Sequence, residues 1–524
     1  MNQPLHRNQR GHTTDAKGLT MYHGLLDTGH IDLPPSFILG AATAAYQIEG
    51  GATEGGRGPS IWDTFSHTPG KTEGGATGDV AADHYHRVEE DLGLMEALNL
   101  TAYRFSISWS RVMPTGEGEV NAEGLQFYSR LVDSLLARGI QPVVTLNHWD
   151  LPQALEDKYG GWRERETAFA FEKYAEIMGA ALGDRVYIWS THNEPWNNSF
   201  SGYGSGAFAP GGTSHEDALI AAHHLNLSHG LAVKALRRTI TRIDARISVA
   251  LNIFRVAAET PEDAEAARLF DAVANRVFTG PMLNGQYPAD LLADTRKFTD
   301  WSFVLPGDLE TSHQPIDLLG VNYYEVMHVR LNPAYDPETE KDGGTAFPGS
   351  ERIEFLRRGD LERTGMDWGI EPQGLEDHLV ALSAQHPGLP IMVMENGAAF
   401  PDTVTSLNGN NVVLDFDRTR FLIEHVTATD RARHRGANVV GYLVWSLLDN
   451  FEWAAGYGPR FGIIHVDYDT LQRTPKLSSH WFSQLCASKT IPTLREFSLD
   501  SRPDQSRAPT THTEDALVAN LSKD

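Results

Sequence analysis

Eight short apolar segments recur along most of this chain, and helical segments separate most of them. Their β-branched and aromatic residues are typical of strands that are buried on both faces. They cover residues 38–45, 102–109, 141–146, 186–192, 247–252, 317–323, 391–395 and 439–445. Eight such strands in series close most simply as a parallel barrel. We therefore predict an α/β fold, a single (β/α)8 TIM barrel with elaborated loops at its C-terminal face.

The segments between the strands carry the pattern of amphipathic helices. In residues 125–138, for example, apolar side chains recur at i, i+3 and i+4 spacing, and Gly139 follows as a stop signal. Further helices are predicted over 92–98, 167–182, 261–278 and 417–433. The first turn carries no G-x-G-x-x-G fingerprint, which disfavours an open, doubly wound dinucleotide-binding sheet.

Two of the predicted strands lead directly into a glutamate. The fourth runs into Asn193 and Glu194, and the seventh runs into Glu395 and Asn396. The carboxyl ends of barrel strands meet at one face, where active sites are built. Two carboxyl groups held about 5–5.5 Å apart can cleave a glycosidic bond with retention, one as proton donor and the other as nucleophile. Burial and the charge of Glu395 are expected to raise the pKa of Glu194.

Charge and composition limit the partners of the chain. Its formal net charge is −25, which argues against nucleic acid and anionic membrane partners. No stretch is long and apolar enough to span a membrane, and the N-terminal residues lack the apolar core of a secretory signal. The single cysteine, Cys486, allows no internal disulfide. We predict a cytoplasmic protein with a flexible N-terminal arm (1–33), a barrel (34–490) and a polar C-terminal tail (491–524).

Three histidines in one predicted helix are the strongest metal-ligand candidates. His223, His224 and His229 do not have the i, i+4 spacing of a zinc-binding helix pair, so the sequence favours structural roles for them. We predict no metal and no organic cofactor.

From about residue 33 to residue 485 the chain resembles glycoside hydrolase family 1, the β-glucosidase family. The N-terminal signature lies at 37–51, the acid/base motif at 191–195 and the nucleophile motif at 395–397. Leu39 and Met392 depart from the usual residues. The resemblance implies that Glu194 is the acid/base and Glu395 the nucleophile, with Arg104 and Tyr324 supporting the nucleophile.

The resemblance also implies a set of substrate-binding residues. They are Gln47, His148, Trp149, Asn193, Asn322, Tyr324, Trp445, Glu452 and Trp453. Trp196 and Trp368 are expected on the outer, aglycone side. The long segment 326–374 is polar and charged, and we expect it to act as a lid that shapes that side.

The predicted function is that of a retaining β-glycosidase. A β-glucosidase that hydrolyses terminal β-D-glucosyl residues of cellobiose or small β-glucosides, through a covalent glycosyl-enzyme, fits best. A β-galactosidase, β-fucosidase or transglycosylase would share the same site, and a non-catalytic sugar-binding barrel is the alternative outside enzymes. Glu452 would repel a 6-phosphate, and an intact Glu194 disfavours thioglucoside cleavage. The expected partner is a small β-glucoside, and the sequence leaves the oligomeric state open.

Overall fold

Eight parallel strands close into a barrel in the computed structural model, which describes residues 30–407 and 410–492 together with the two-residue strands Thr13–Thr14 and Thr20–Met21. The barrel strands are β1 Ile38–Ala42, β2 Ala102–Ser106, β3 Gln141–Asn147, β4 Ile188–Asn193, β5 Arg246–Leu251, β6 Leu318–Asn322, β7 Ile391–Asn396 and β8 Val439–Trp445. Each strand pairs with its neighbours in sequence, and β8 pairs with β1 to close the ring. The predicted (β/α)8 barrel is confirmed.

One principal helix follows each strand. The helices are α1 His84–Ala97, α2 Ala122–Ala137, α3 Arg165–Leu182, α4 His215–Thr239, α5 Ala264–Asp271, α6 Pro372–Gln385, α7 Phe416–His434 and α8 Leu477–Ser488. Short helices lie in the loops at Ala45–Ile48, Ile61–Ser66, Trp109–Val112, Gln153–Tyr159, Ala289–Asp294 and Asp308–Ser312. No helix in the described ranges is long and apolar enough to cross a membrane.

Three predicted boundaries are wrong. The strands predicted over 38–45 and 102–109 end at Ala42 and Ser106, because the chain then turns into the short helices that follow. Helix α1 begins eight residues before the predicted start at 92. Its first two turns bury His84 and Asp91, which are polar and bond to each other, so no apolar periodicity marks them.

The predicted helix over 261–278 is also wrong as a single element. It consists of a 3-10 turn at Pro261–Asp263, helix α5, a π-helical turn at Ala272–Arg276 and a last helical turn at Val277–Thr279. A further π-helical turn, Gly280–Asn284, continues it.

The segment 326–374 has regular structure that the sequence analysis did not predict. Val326–Leu331 is the central strand of a small sheet with Arg255–Ala258 and Ile353–Phe355. Two hairpins lie farther along the chain, Val404–Leu407 with Asn410–Val413 and Ile464–Val466 with Arg473–Pro475. The loops at the C-terminal face are therefore stiffened by strand pairs of their own.

The ends of the described region pair with each other. His30–Asp32 forms an antiparallel pair with Thr490–Pro492, and Ile31 and Leu33 are buried beside it. Apart from the two short strands at 13–14 and 20–21, the predicted arm lies outside the described residues up to residue 29. The predicted tail lies outside them from residue 493.

Candidate active site

The C-terminal ends of the barrel strands surround a cavity of about 370 Å³. Ten of the sequence-predicted residues line it: His148, Trp149, Glu194, Asn322, Tyr324, Trp368, Glu395, Trp445, Glu452 and Trp453. Arg104, Asn193 and Gln47 lie behind this wall and bond to residues that line it. The barrel thus gathers predicted residues from distant parts of the sequence around one space.

Glu395 is held by a cation and a phenol. Arg104 Nη1 donates to its Oε1 at 2.5 Å, and Tyr324 Oη donates to its Oε2 at 2.8 Å. Burial raises the pKa of Glu395, and the Arg104 charge opposes that rise. Gly397 allows the turn that follows, because a Cβ atom there would lie 1.6 Å from the carbonyl oxygen of Trp445.

Among the residues that the structure describes, no cation is a hydrogen-bond partner of Glu194. Its Oε1 accepts from Asn322 Nδ2 at 2.7 Å and its Oε2 accepts from Asn197 Nδ2 at 2.6 Å. Burial and the charge of Glu395 raise the pKa of Glu194 to about 8, as the sequence analysis expected. The two carboxyl groups therefore differ in environment, and Glu194 is mostly protonated at pH 7.

Asn193 connects the surroundings of the two glutamates. Its Oδ1 accepts from Arg104 Nη2 at 2.7 Å and from Asn322 Nδ2 at 3.0 Å, which fixes the orientation of the amide. Its Nδ2 then donates to His148 Nε2 at 3.0 Å. Since Nε2 accepts, the neutral His148 ring carries its proton on Nδ1. Burial, with the Arg104 charge, lowers the pKa of His148 well below its usual value and keeps the ring neutral.

Three buried polar atoms of the site have no hydrogen-bond partner among the described residues: Gln47 Oε1, His148 Nδ1 and Asn322 Oδ1. Gln47 Nε2 donates to Asn450 Oδ1 at 2.9 Å and to the Phe451 carbonyl at 3.0 Å, which leaves Gln47 Oε1 buried and free. His148 Nδ1 is likewise buried and free. Gln47 Oε1 is an acceptor and His148 Nδ1 a donor, so the pair suits a ligand that carries hydroxyl groups.

Aromatic rings form the inner surface of the cavity. Trp453 lies against Trp149 with ring centroids 4.7 Å apart and stacks on His148 at 6.0 Å. Trp445 also stacks on His148, with ring centroids 5.7 Å apart. Trp149 and Trp453 have positive φ angles of 76° and 50°, conformations that bulky residues rarely adopt outside functional sites.

Glu452 is a further, half-buried carboxyl group of the cavity. Its only hydrogen bond among the described residues is a long one, 3.4 Å, from Gln47 Nε2. Burial, together with the charges of Glu395 and Glu194, raises the pKa of Glu452 to about 8. The sequence predicts that the charge of Glu452 would repel a phosphate. With this pKa, Glu452 is not fully charged at neutral pH, so its charge alone does not explain such a rejection. Instead, no Lys or Arg is found among the residues that line the cavity.

The outer half of the cavity contains residues that the sequence analysis missed. Asn197, Asn252, Phe254 and Met366 line it. Asn252 directly follows β5, so the polar residue at a strand end was a usable signal, whereas the two apolar residues carry none. Trp196 does not line the cavity. It packs against Phe200, Phe254 and Phe347 instead.

Three of the four histidines of helix α4, those named in the sequence analysis, bond to neighbouring protein groups. His223 contacts Asp308, His224 contacts the Trp162 carbonyl oxygen, and His229 contacts Thr191. These contacts fasten α4 to β4 and to the adjoining loops, as expected for structural side chains.

Asp402, Asp449 and His465 form one group with metal-ligand spacing among the described residues. Lys476 Nζ bonds to both of these carboxylates, at 2.5 and 2.8 Å, and therefore occupies the position of a cation. Asp449 also accepts the backbone N–H of Gly462, which holds the loop that carries Glu452.

A parallel eight-stranded barrel with two buried glutamates, at β4 and β7, defines the site of a glycoside hydrolase. The chain belongs to glycosyl hydrolase family 1, whose sequence model matches residues 30–491.

The chain spans nearly the whole length of its relatives in this family. A bifunctional β-D-glucosidase/β-D-fucosidase of Bifidobacterium breve is 47% identical over 87% of this chain and 98% of its own. The crystal structure of a psychrophilic β-glucosidase of Micrococcus antarcticus is 46% identical, with a TM-score of 0.81 over 87% and 98% of the two chains. The β-glucosidase of Thermotoga maritima in complex with castanospermine is 40% identical, with a TM-score of 0.80 over 87% and 98%.

Proposed function

We propose that this protein is a retaining β-glucosidase in which Glu395 is the nucleophile and Glu194 the general acid and base. The observation that carries the proposal is the contrast between the two buried carboxyl groups. Glu395 is bonded to the guanidinium of Arg104, which favours the ionised form that a nucleophile needs. Glu194 is bonded only to amides and has a pKa of about 8, which favours the protonated form that an acid needs.

In the first step Glu395 attacks the anomeric carbon while Glu194 gives its proton to the departing oxygen. The glycosidic bond breaks, an ester bond forms between the sugar and Glu395, and the aglycone leaves as an alcohol. The negative charge moves from Glu395 to Glu194. Arg104 and Tyr324 lose their charged partner at Glu395, while Glu194 loses the like charge that raised its pKa.

In the second step Glu194, now ionised, takes a proton from a water molecule. The resulting hydroxide attacks the anomeric carbon, and the ester bond to Glu395 breaks. Both carboxyl groups return to their initial states. One residue can serve both steps because its protonation follows the charge of the other.

The glycone is proposed to lie against the wall of Gln47, His148 and Glu452. The free Gln47 Oε1 would accept from a sugar hydroxyl, and the free His148 Nδ1–H would donate to one. Trp445 offers an apolar face to sugar C–H groups. Asn193, next to Glu194, is the proposed partner of the sugar's 2-hydroxyl, through the second hydrogen of its amide nitrogen.

The decisive experiment is to trap the glycosyl-enzyme. A 2-deoxy-2-fluoro glucoside with a good leaving group should inactivate the enzyme and label Glu395, identified by mass spectrometry of the peptide. Label on another residue would overturn the assignment.

The acid/base role of Glu194 has a test of its own. Glu194→Gln should reduce kcat/KM for methyl glucoside by about 10²- to 10⁴-fold, because the poor leaving group needs the proton. Dinitrophenyl glucoside, whose leaving group needs none, should form the glycosyl-enzyme at nearly the parent rate. Equal losses on both substrates would refute the role.

Hydrolysis of β-fucosides is a second candidate activity, favoured by the relative from Bifidobacterium breve that is named a bifunctional glucosidase and fucosidase. Rates on nitrophenyl β-glucoside, β-fucoside and β-galactoside measure it directly. We expect the glucoside and fucoside to be cleaved at comparable kcat/KM. If the galactoside is cleaved faster than both, the site is that of a β-galactosidase.

We further propose that cellobiose from cellulose breakdown is one substrate, since Trp368 lines the outer half of the cavity and offers a flat face to a second glucose. A cytoplasmic location is consistent with the single cysteine, Cys486, which is buried and unpaired. No cofactor is part of this proposal, since the two carboxyl groups supply both proton transfers.

A further inference from the structure

Asn197 makes a direct contact with Glu194 that the sequence analysis did not anticipate. It lies three residues after Glu194, at the start of the π-helical segment Asn197–Gly204, and it lines the cavity. Its Nδ2 donates to Glu194 Oε2 at 2.6 Å. The Asn197 side chain has no hydrogen bond to any other cavity residue in the part of the chain that the structure describes.

A second contact supports this amide from its other end. Ser201 lies one turn later and donates its hydroxyl to Asn197 Oδ1 at 3.1 Å. In this arrangement the oxygen of the amide faces Ser201 and the nitrogen faces Glu194. The serine hydroxyl, the amide and the carboxyl group thus form a short chain of hydrogen bonds with one direction.

The chemistry of that contact favours one protonation state of Glu194. An N–H donor stabilises an ionised carboxylate more strongly than a neutral carboxylic acid. The charged groups that face Glu194 from the other elements are Glu395 from β7, Glu452 after β8 and Arg104 from β2, with the Tyr324 phenol after β6. Burial and the two glutamates disfavour ionisation, so the amides are needed to counter them.

We propose that Asn197 is a positioning residue that holds Glu194 in the ionised state for the second step of the reaction. This inference rests on the proposed function, in which Glu194 is the base that activates water. Asn322 also donates to Glu194, but it donates to Asn193 as well and so supports the whole site. Asn197 acts on Glu194 alone, so it can be removed without disturbing Glu395.

The first test is the pH profile of kcat/KM for nitrophenyl glucoside. Asn197→Leu keeps the size of the side chain and removes the donor. The basic limb of the pH profile of this variant should move to higher pH by about 1 pH unit. That shift corresponds to the loss of one hydrogen bond to a charged group. Asn197→Asp adds a like charge and should move the limb further. Ser201→Ala should move it in the same direction by less, since the amide remains but is no longer fixed.

The second test isolates the base role. With dinitrophenyl glucoside, for which the second step limits the rate, kcat of Asn197→Leu near pH 6 should fall about 5-fold. Azide attacks the glycosyl-enzyme without needing a base, so it should restore kcat in this variant and not in the parent. A purely structural role of Asn197 would lower kcat without azide rescue.

Asn198→Ala is the matched control. Asn198 is the neighbouring amide, buried, and without a hydrogen bond to either glutamate among the described residues. Its profile should superimpose on that of the parent.

Two outcomes separate this inference from the proposed function. If Glu194→Gln loses the basic limb while Asn197→Leu stays within about 0.2 pH unit of the parent, the role of Asn197 is refuted and that of Glu194 stands. If Glu194→Gln cleaves methyl glucoside at the parent rate, or if the fluoro sugar labels a residue other than Glu395, the proposed function itself is refuted.

Discussion

Asp150 gives the sharpest stability prediction. It follows His148 and Trp149 at the end of β3 and is only 1% exposed. Neither of its carboxylate oxygens has a hydrogen-bond partner in the described ranges. Burial raises the pKa of Asp150 from 3.8 to about 7, with the Arg57 charge opposing the rise. A buried carboxyl group without partners is stable only while it is protonated.

The magnitude follows from linkage. At about 1.4 kcal/mol per pH unit, ionising Asp150 in the folded protein costs about 4 kcal/mol more than in the unfolded chain. Between pH 4 and pH 7 the folded state holds a proton that the unfolded state has lost, so stability falls as the pH rises. The full cost is reached above pH 7. The side chain of Asp150→Asn is neutral at every pH, so this variant should not lose stability in this way.

The assay is thermal unfolding of the parent and of Asp150→Asn at pH 5 and pH 8.5. For a chain of this length about 1 kcal/mol corresponds to about 1 °C. The variant should melt about 2 °C higher than the parent at pH 5, where part of the cost is already present, and about 4 °C higher at pH 8.5. Asp157→Asn, which removes an exposed charge seven residues farther along, should show no such pH-dependent gain. A constant difference at both pH values would refute the reasoning.

Three further predictions concern the surroundings of the nucleophile. Arg104→Met leaves the buried Glu395 without its cation and should reduce kcat/KM by about 10²- to 10³-fold, with slower labelling by the fluoro sugar. Tyr324→Phe removes a hydrogen bond that lowers the pKa of Glu395, so the acid limb of kcat/KM should move to higher pH; an unmoved limb would contradict this contact. Gly397→Ala would place its Cβ 1.6 Å from the Trp445 carbonyl, and we expect loss of activity together with a lower Tm; a fully active variant would show that the strand ends can separate.

The strands were predictable because burial on both faces leaves a clear mark in the sequence. A run such as residues 391–394 has few other structures open to it, and a glutamate at its end is easy to recognise. Arg104 and Tyr324, by contrast, could be predicted only from the family resemblance. No local pattern links a buried arginine in β2 with a carboxyl group that lies 291 positions later.

Elements that are buried through polar side chains could not be predicted from apolar patterns. The first turns of α1 are buried through a pair between His84 and Asp91, which a search for apolar periodicity passes over. Phe254 directly precedes a strand of the small sheet, whose pairing no spacing rule specifies, and Met366 lies in the loop between the bridged residues Arg363 and Gly369. The orientation of the Asn197 amide depends on Ser201, a contact that only coordinates reveal.

The pairing of β8 with β1 has a consequence for synthesis on the ribosome. Gln47 near the beginning of the barrel bonds to Asn450, which is made 403 residues later. At about 5–20 residues per second, the first strand waits roughly 20–80 s for its second neighbour. Throughout that time β1 presents an open sheet edge, and no complete sugar pocket exists. Nascent chains of this enzyme are therefore inactive, and they need protection from association until the last strand has left the ribosome.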